Sequence, residues 1–145
     1  MDFKEETVDI LYNEVRETLN RQFESITALN TKLADIMKMS LFMIAVVLLT
    51  TENSIISGVS LVLLWDAFLI SLLGYRNGTY KRDQDPILLR EKYITQDTSL
   101  KTHIIDSVID SYSENKIKIE RKAKHIDPSL LFLGLGMLMA LFSLL

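Results

Sequence analysis

Asp66 is an acid at the centre of an otherwise apolar run, residues 54–75. An ionised side chain at that depth of a bilayer costs roughly 2.5–3.5 kcal/mol on insertion scales. Such a group normally faces a bundle interior or a water-filled path. Its chemistry there would be that of an ion or proton site, or of one member of a carboxylate ring lining a pore. Two blander readings stand beside these: a protonated Asp hydrogen-bonded to a neighbouring helix through a Ser, or an acid tolerated towards lipid. No Lys or Arg lies in the core of any apolar segment, so one chain offers no intramembrane ion pair.

Other clusters carry weaker chemistry. Asp106 and Asp110 lie one helical turn apart, with Glu114 a turn further. Their spacing suits a divalent cation or acid–base work, but a solvated helix face gives the same pattern. Arg121, Lys122 and Lys124 can hold a phosphate-bearing ligand or the headgroups of anionic lipid beside a span. Gly134 and Gly136 would let helices approach closely, although their spacing is not that of the four-residue dimer motif. Cysteine is absent and the histidines, His103 and His125, stand apart, so no metal site and no cofactor is expected. No nucleophile elbow, P-loop or dinucleotide fingerprint occurs, and no enzymatic activity is expected. The net charge of -3 argues against a nucleic-acid partner.

These residues sit on blocks of contrasting composition. Residues 2–38 are polar with an apolar stripe through Val8, Leu11, Val15, Leu19, Phe23, Ile26, Leu33 and Ile36, mostly three or four apart. That spacing predicts a helix with one apolar face. No secretory signal is expected, because no short apolar core lies near Met1. With no Pro or Gly before Gly58, the helix is expected to continue into a first span over residues 33–51. A span needs about 20 largely apolar residues. The Thr51-Glu52-Asn53 break separates it from a second span over residues 54–75, forming a hairpin.

Residues 76–127 are strongly charged, with breakers at Asn77-Gly78 and Asp85-Pro86. Beyond Thr98 a second amphipathic helix is expected, with Leu100, Ile104, Ile105, Val108, Ile109, Tyr112, Ile119 and Ala123 on its stripe. Asn115 lies on that stripe, where a buried polar residue would fix register. Pro128 then opens a third span over residues 128–145, since Pro is tolerated in the first turn of a helix. Residues 1–38, up to their overlap with the first span at 33–38, and residues 76–127 are accordingly expected outside the bilayer.

Charge sets the expected orientation. Thr51-Glu52-Asn53 carries no Lys or Arg, whereas residues 76–127 carry eleven and residues 2–38 five. Positive charge stays cytoplasmic. The N-terminus and the charged block are therefore expected inside the cell membrane, and the C-terminus at its outer face. Tyr75 and Tyr80 fall where aromatic anchors sit; Trp65 does not.

The stretches "LNTKLADIMKMSLFMIAVVLL", "DQDPILLREKY" and "SYSENKIKIERKAKHID" resemble corresponding parts of small prokaryotic, archaeal-type three-span membrane proteins of unknown function. They are also similar to transmembrane effectors of nucleotide-signalled antiphage defence. The resemblance covers most of residues 29–126. It implies assembly in the membrane and perturbation of it.

The expected fold is an all-α integral membrane protein with three transmembrane helices and long amphipathic cytoplasmic helices forming a bundle. Its expected partners are the bilayer and further copies of itself. The expected oligomer core is Val15, Leu19 and Phe23 with Val108, Tyr112 and Asn115. The expected function is a homo-oligomeric pore or ion-conducting protein with Asp66 in the path, and one form of this reading is a gated membrane effector. A non-conducting scaffold is the alternative, and a small proton-coupled transporter a third reading.

Overall fold

The computed structural model describes residues 3–50, 54–76, 80 and 97–144. These are almost wholly helical: α1 (Phe3–Thr50), α2 (Ile55–Arg76), α3 (Asp97–Ala123) and α4 (Ile126–Ser143). The breakers at Thr51-Glu52-Asn53, Asn77-Gly78 and Asp85-Pro86 lie outside the described residues. So do the side chains of Val8, Leu11, Leu100, His103, Ile104 and Ile105. Two compact units result, Met1–Ile26 with Thr79–Ile119, and Thr27–Gly78 with Glu120–Leu145.

Local chemistry accounts for the helix ends. At the start of α2, Ser54 Oγ accepts from the Ser57 N–H and Ser57 Oγ accepts from the Ser54 N–H, both at 3.1 Å. This reciprocal pair is a capping box, with Ser in place of the usual Glu. Between α3 and α4, Pro128 has no N–H to donate back to Lys124, so the α3 ladder stops there. The chain turns through Lys124 and His125, and the His125 carbonyl accepts from both the N–H and Oγ of Ser129. Asp127 sits in the first turn of α4, where the helix dipole favours an acid.

Among the described residues, three helical stretches are long and apolar enough to cross a membrane, ending at Thr50, Arg76 and Ser143. All three belong to the second unit over these apolar parts. Its burial pattern is inverted relative to a water-soluble bundle. Large apolar side chains such as Phe42, Leu49, Val62, Leu73, Leu131 and Phe142 are exposed, while Ser40, Ser60, Ser71 and Ser129 are fully buried. Exposed apolar surface of this kind suits a lipid environment; close helix packing explains the second set.

The buried positions of α2 are Ser57, Ser60, Leu64, Ala67, Ser71 and Gly74, alternating three and four apart. Those of α4 are Ser129, Leu133, Gly136 and Ala140. Alternating spacing keeps one stripe facing a neighbouring helix along a left-handed seam. Ile36 and Val47 of α1 join Leu64, Ala67, Leu133 and Ala140 in the core. At the tightest point Ser60 Oγ donates to the Gly136 carbonyl at 2.8 Å.

The first unit pairs α1 with α3 through a more polar seam. Leu19, Gln22 and Ile26 are buried on α1, and Val108, Ser111 and Asn115 on α3. Gln22 Nε2 donates to the Tyr112 carbonyl at 3.1 Å. A bond from a side chain to the partner helix backbone fixes register as well as contact.

The two glycines of α4 give a direct test of the seam. A Cβ at Gly136 would lie 2.8 Å from Leu64 Cγ and 3.2 Å from the Leu64 backbone nitrogen, whereas one at Gly134 would meet nothing within 4 Å. Gly136→Ala should therefore destabilise the protein in detergent by about 1–3 kcal/mol, the usual cost of overpacking. Gly134→Ala should leave the melting temperature unchanged. Equal effects of the two would contradict the seam.

Candidate functional site

Asp66 falls midway along α2 and one position before the buried Ala67. That offset turns it off the seam. Its side chain is half-buried and borders an open groove of about 340 Å³, lined by Ile44 and Leu48 of α1 and Leu61, Val62 and Trp65 of α2. Trp65 stacks on Phe68, with ring centroids 5.4 Å apart, and stiffens this face of α2. Among the described residues no ion pair or hydrogen bond holds the Asp66 carboxylate. The bundle interior is meanwhile occupied: Leu64 and Ala67 are fully buried beside it. The acid thus lies on the bundle's outer surface, in an apolar groove.

A second polar centre forms where the spans end. Lys122, on the last turn of α3, is only 1% exposed. Its ammonium donates to Asn30 Oδ1 of α1 at 2.5 Å and to the Tyr75 carbonyl of α2 at 3.4 Å, and lies 5.9 Å from the centre of the Tyr75 ring. The Tyr75 carbonyl belongs to the last turn of α2, where carbonyls have no partner within the helix. A cation there also meets the negative end of the helix dipole. Next to it, a Cβ at Gly74 would lie 2.9 Å from His125 Cβ and 3.2 Å from Leu33 Cδ1. Only glycine lets the end of α2 approach the turn between α3 and α4 so closely. Lys122, Asn30 and Gly74 therefore tie three helices together at one level.

This placement corrects the grouping of Lys122 with Arg121 and Lys124 as a lipid or ligand contact. Arg121 and Lys124 are exposed, but Lys122 is turned inward. On a helix, side chains one position apart point about 100° away from each other, so three near-adjacent cations need not share a face. The inward direction had a signal in the sequence. Val108, Asn115, Lys122 and Ser129 recur every seven residues and are all buried. Asn30 had no such signal.

The proposed oligomer core also divides. Leu19, Val108 and Asn115 are buried within the single chain, where α1 and α3 cover each other. Val15 and Phe23 are half-buried, and Tyr112 is 36% exposed. Leu19, Val108 and Asn115 are therefore core of the chain itself rather than surface offered to another copy. Val15 and Tyr112 border an open groove with Glu14, Thr18 and Ile109. Asp106, Asp110 and Glu114 are all exposed, and no group of three acidic, His or Cys side chains among the described residues is placed to hold a metal ion.

Searched against protein-family models, curated proteins and solved structures, the chain matches none.

The Lys122 tie can be measured by a double-mutant cycle. Lys122→Met preserves much of the volume but leaves the part-buried Asn30 Oδ1 and Tyr75 carbonyl without their donor, at a cost of about 1–3 kcal/mol. Adding Asn30→Leu removes one of the stranded acceptors and should recover part of that loss. The two changes should couple by about 0.5–3 kcal/mol in thermal or denaturant unfolding in detergent. Strict additivity would mean that the two side chains do not meet.

Proposed function

We propose that the chain is the subunit of a homo-oligomeric, ion-conducting membrane protein in which Asp66 lines the path. The observation that carries this reading is the position of Asp66: mid-span, on the outer groove of a bundle whose own interior is filled. A single copy would hold the acid against lipid, at a cost of roughly 2.5–3.5 kcal/mol if ionised. Several copies with their α1–α2 grooves facing a common axis would instead surround a hydrated space with carboxylates. A ring of acids attracts cations and repels anions.

Leu64 and Ala67 are fully buried between the helices of one chain, which favours a path formed by several chains over one within a single copy. The motif resemblance to membrane-perturbing defence effectors agrees with this reading and suggests that the pathway is gated. In the proposed orientation the Lys/Arg-rich end of the membrane unit faces the cytoplasm, and Ser143 the outer side. A scaffold built on the same groove would place Asp66 between copies without a water path.

Reconstituted flux separates the two. The parent protein in proteoliposomes should pass cations in preference to anions. Asp66→Asn keeps the shape and removes the charge, so that preference should fall towards equality while the oligomer persists. In the scaffold, by contrast, Asp66 would bond a neighbouring copy, and Asp66→Leu would loosen the oligomer by about 0.6–2 kcal/mol per lost interhelical hydrogen bond. Selectivity unmoved by Asp66→Asn would remove the carboxylate ring, and absence of flux in the parent would leave the scaffold.

A further inference from the structure

The basic residues of the membrane unit are confined to one end. Lys32, Lys38, Arg76, Arg121, Lys122 and Lys124 all fall there, against the acids Asp35, Glu120 and Asp127. The contacts of Asn30 with Lys122, and of Gly74 with Leu33 and His125, bring these stretches to the same level. At the opposite end, residues 50–54 and 143–145 contain no Lys or Arg. A chain of net charge -3 thus has a membrane unit with one end in cationic excess.

Not all six cations are available. Lys38 pairs with Asp35 at 3.3 Å, and Lys122 is buried. Lys32, Arg76, Arg121 and Lys124 are exposed, and the last three cluster where α2 and α3 end. The buried contacts hold their backbones together, because Arg76 follows Tyr75, whose carbonyl accepts from Lys122, and Arg121 precedes Lys122. Lys124 precedes His125, which packs at Gly74. The three residues stand where α2 ends and α4 begins, at the boundary between apolar and polar sequence. Two guanidinium groups offer paired donors that match phosphate oxygens.

We infer that Arg76, Arg121 and Lys124 bind the phosphate of an anionic phospholipid headgroup. The lipid source follows from depth, since the site adjoins the first residues of α4 and the last of α2. The inward Lys122 is the anchor that lets the two helix ends present their cations together. Binding of this kind is weakened by salt, because exposed charges are screened over about 8 Å at physiological ionic strength.

The test uses the full chain, delipidated in neutral detergent, with bound lipid counted by native mass spectrometry at rising phosphatidylglycerol or phosphatidylcholine. Phosphatidylglycerol should bind tightly and phosphatidylcholine weakly. Combined Arg76→Gln, Arg121→Gln and Lys124→Gln should weaken phosphatidylglycerol binding by on the order of a hundredfold, at roughly fivefold per charge. All three side chains are exposed, so an unchanged melting temperature without added lipid verifies the variant's fold. Lys116→Gln, an exposed cation in the other unit, should bind as the parent does. Equal binding of the two lipids, or undiminished binding by the triple variant, would overturn the inference. Displacement of phosphatidylglycerol by equimolar inorganic phosphate would overturn the lipid assignment in favour of a soluble phosphate ligand.

Discussion

The packing of α2 on α4 through small residues is the constraint on which the membrane unit depends. Lipid tails are as apolar as Leu, so helices in a bilayer gain little by burying large apolar side chains against one another. They gain by approaching closely. Ser57, Ser60, Ala67, Ser71 and Gly74 on α2, with Ser129, Gly136 and Ala140 on α4, permit that approach. Leu64 fills the space beside Gly136. Once this face of α2 is committed to α4, the neighbouring position 66 must face elsewhere. The placement of Asp66 in an outer groove is a geometric consequence of the seam.

The same seam sets the requirement at its other end. Bringing the last turn of α2 against the α3–α4 turn partly covers a carbonyl with no partner in its own helix, which in an apolar setting is costly. Lys122 supplies a donor to this carbonyl, at Tyr75, and takes Asn30 as a second acceptor. A buried ammonium is tolerable only with such partners. Gly74 is the complementary adjustment, removing a side chain where the backbone must come within reach of His125. The polar tie and the glycine together bring α1, α2 and the α3–α4 turn to one level.

Much of the fold was legible because its signals are long. Apolar runs of span length, and a first block free of Pro and Gly, need no knowledge of neighbours, and the three apolar helices follow from them. Asp66 stood out by contrast with its surroundings. Its direction was less visible, because the seam of α2 is made of Ser, Gly and Ala, which a search for apolar stripes does not register. Lys122 was misplaced for a related reason. Its two charged neighbours suggested a shared surface, while its seven-residue spacing from Asn115 and Ser129 marked a buried position. Leu19 and Val108 lie on apolar stripes expected to meet other copies, but they are buried within one chain. An apolar stripe shows that a face will be covered, but α1 and α3 of one chain cover it as readily as a second copy would. Gly134 and Gly136 could not be told apart without knowing which faces Leu64.

The groove beside Asp66 as the meeting surface between copies is the central claim, and the absence of native cysteine makes it directly measurable. Val62 borders this groove and is 61% exposed; Leu131 is 59% exposed on α4, outside the groove lining. Single cysteines at the two positions should be treated in native membranes with a short bifunctional thiol reagent. The account predicts covalent dimers from Val62→Cys and little or none from Leu131→Cys. Efficient cross-linking at position 131 with none at 62 would place another face between copies and remove Asp66 from any shared path.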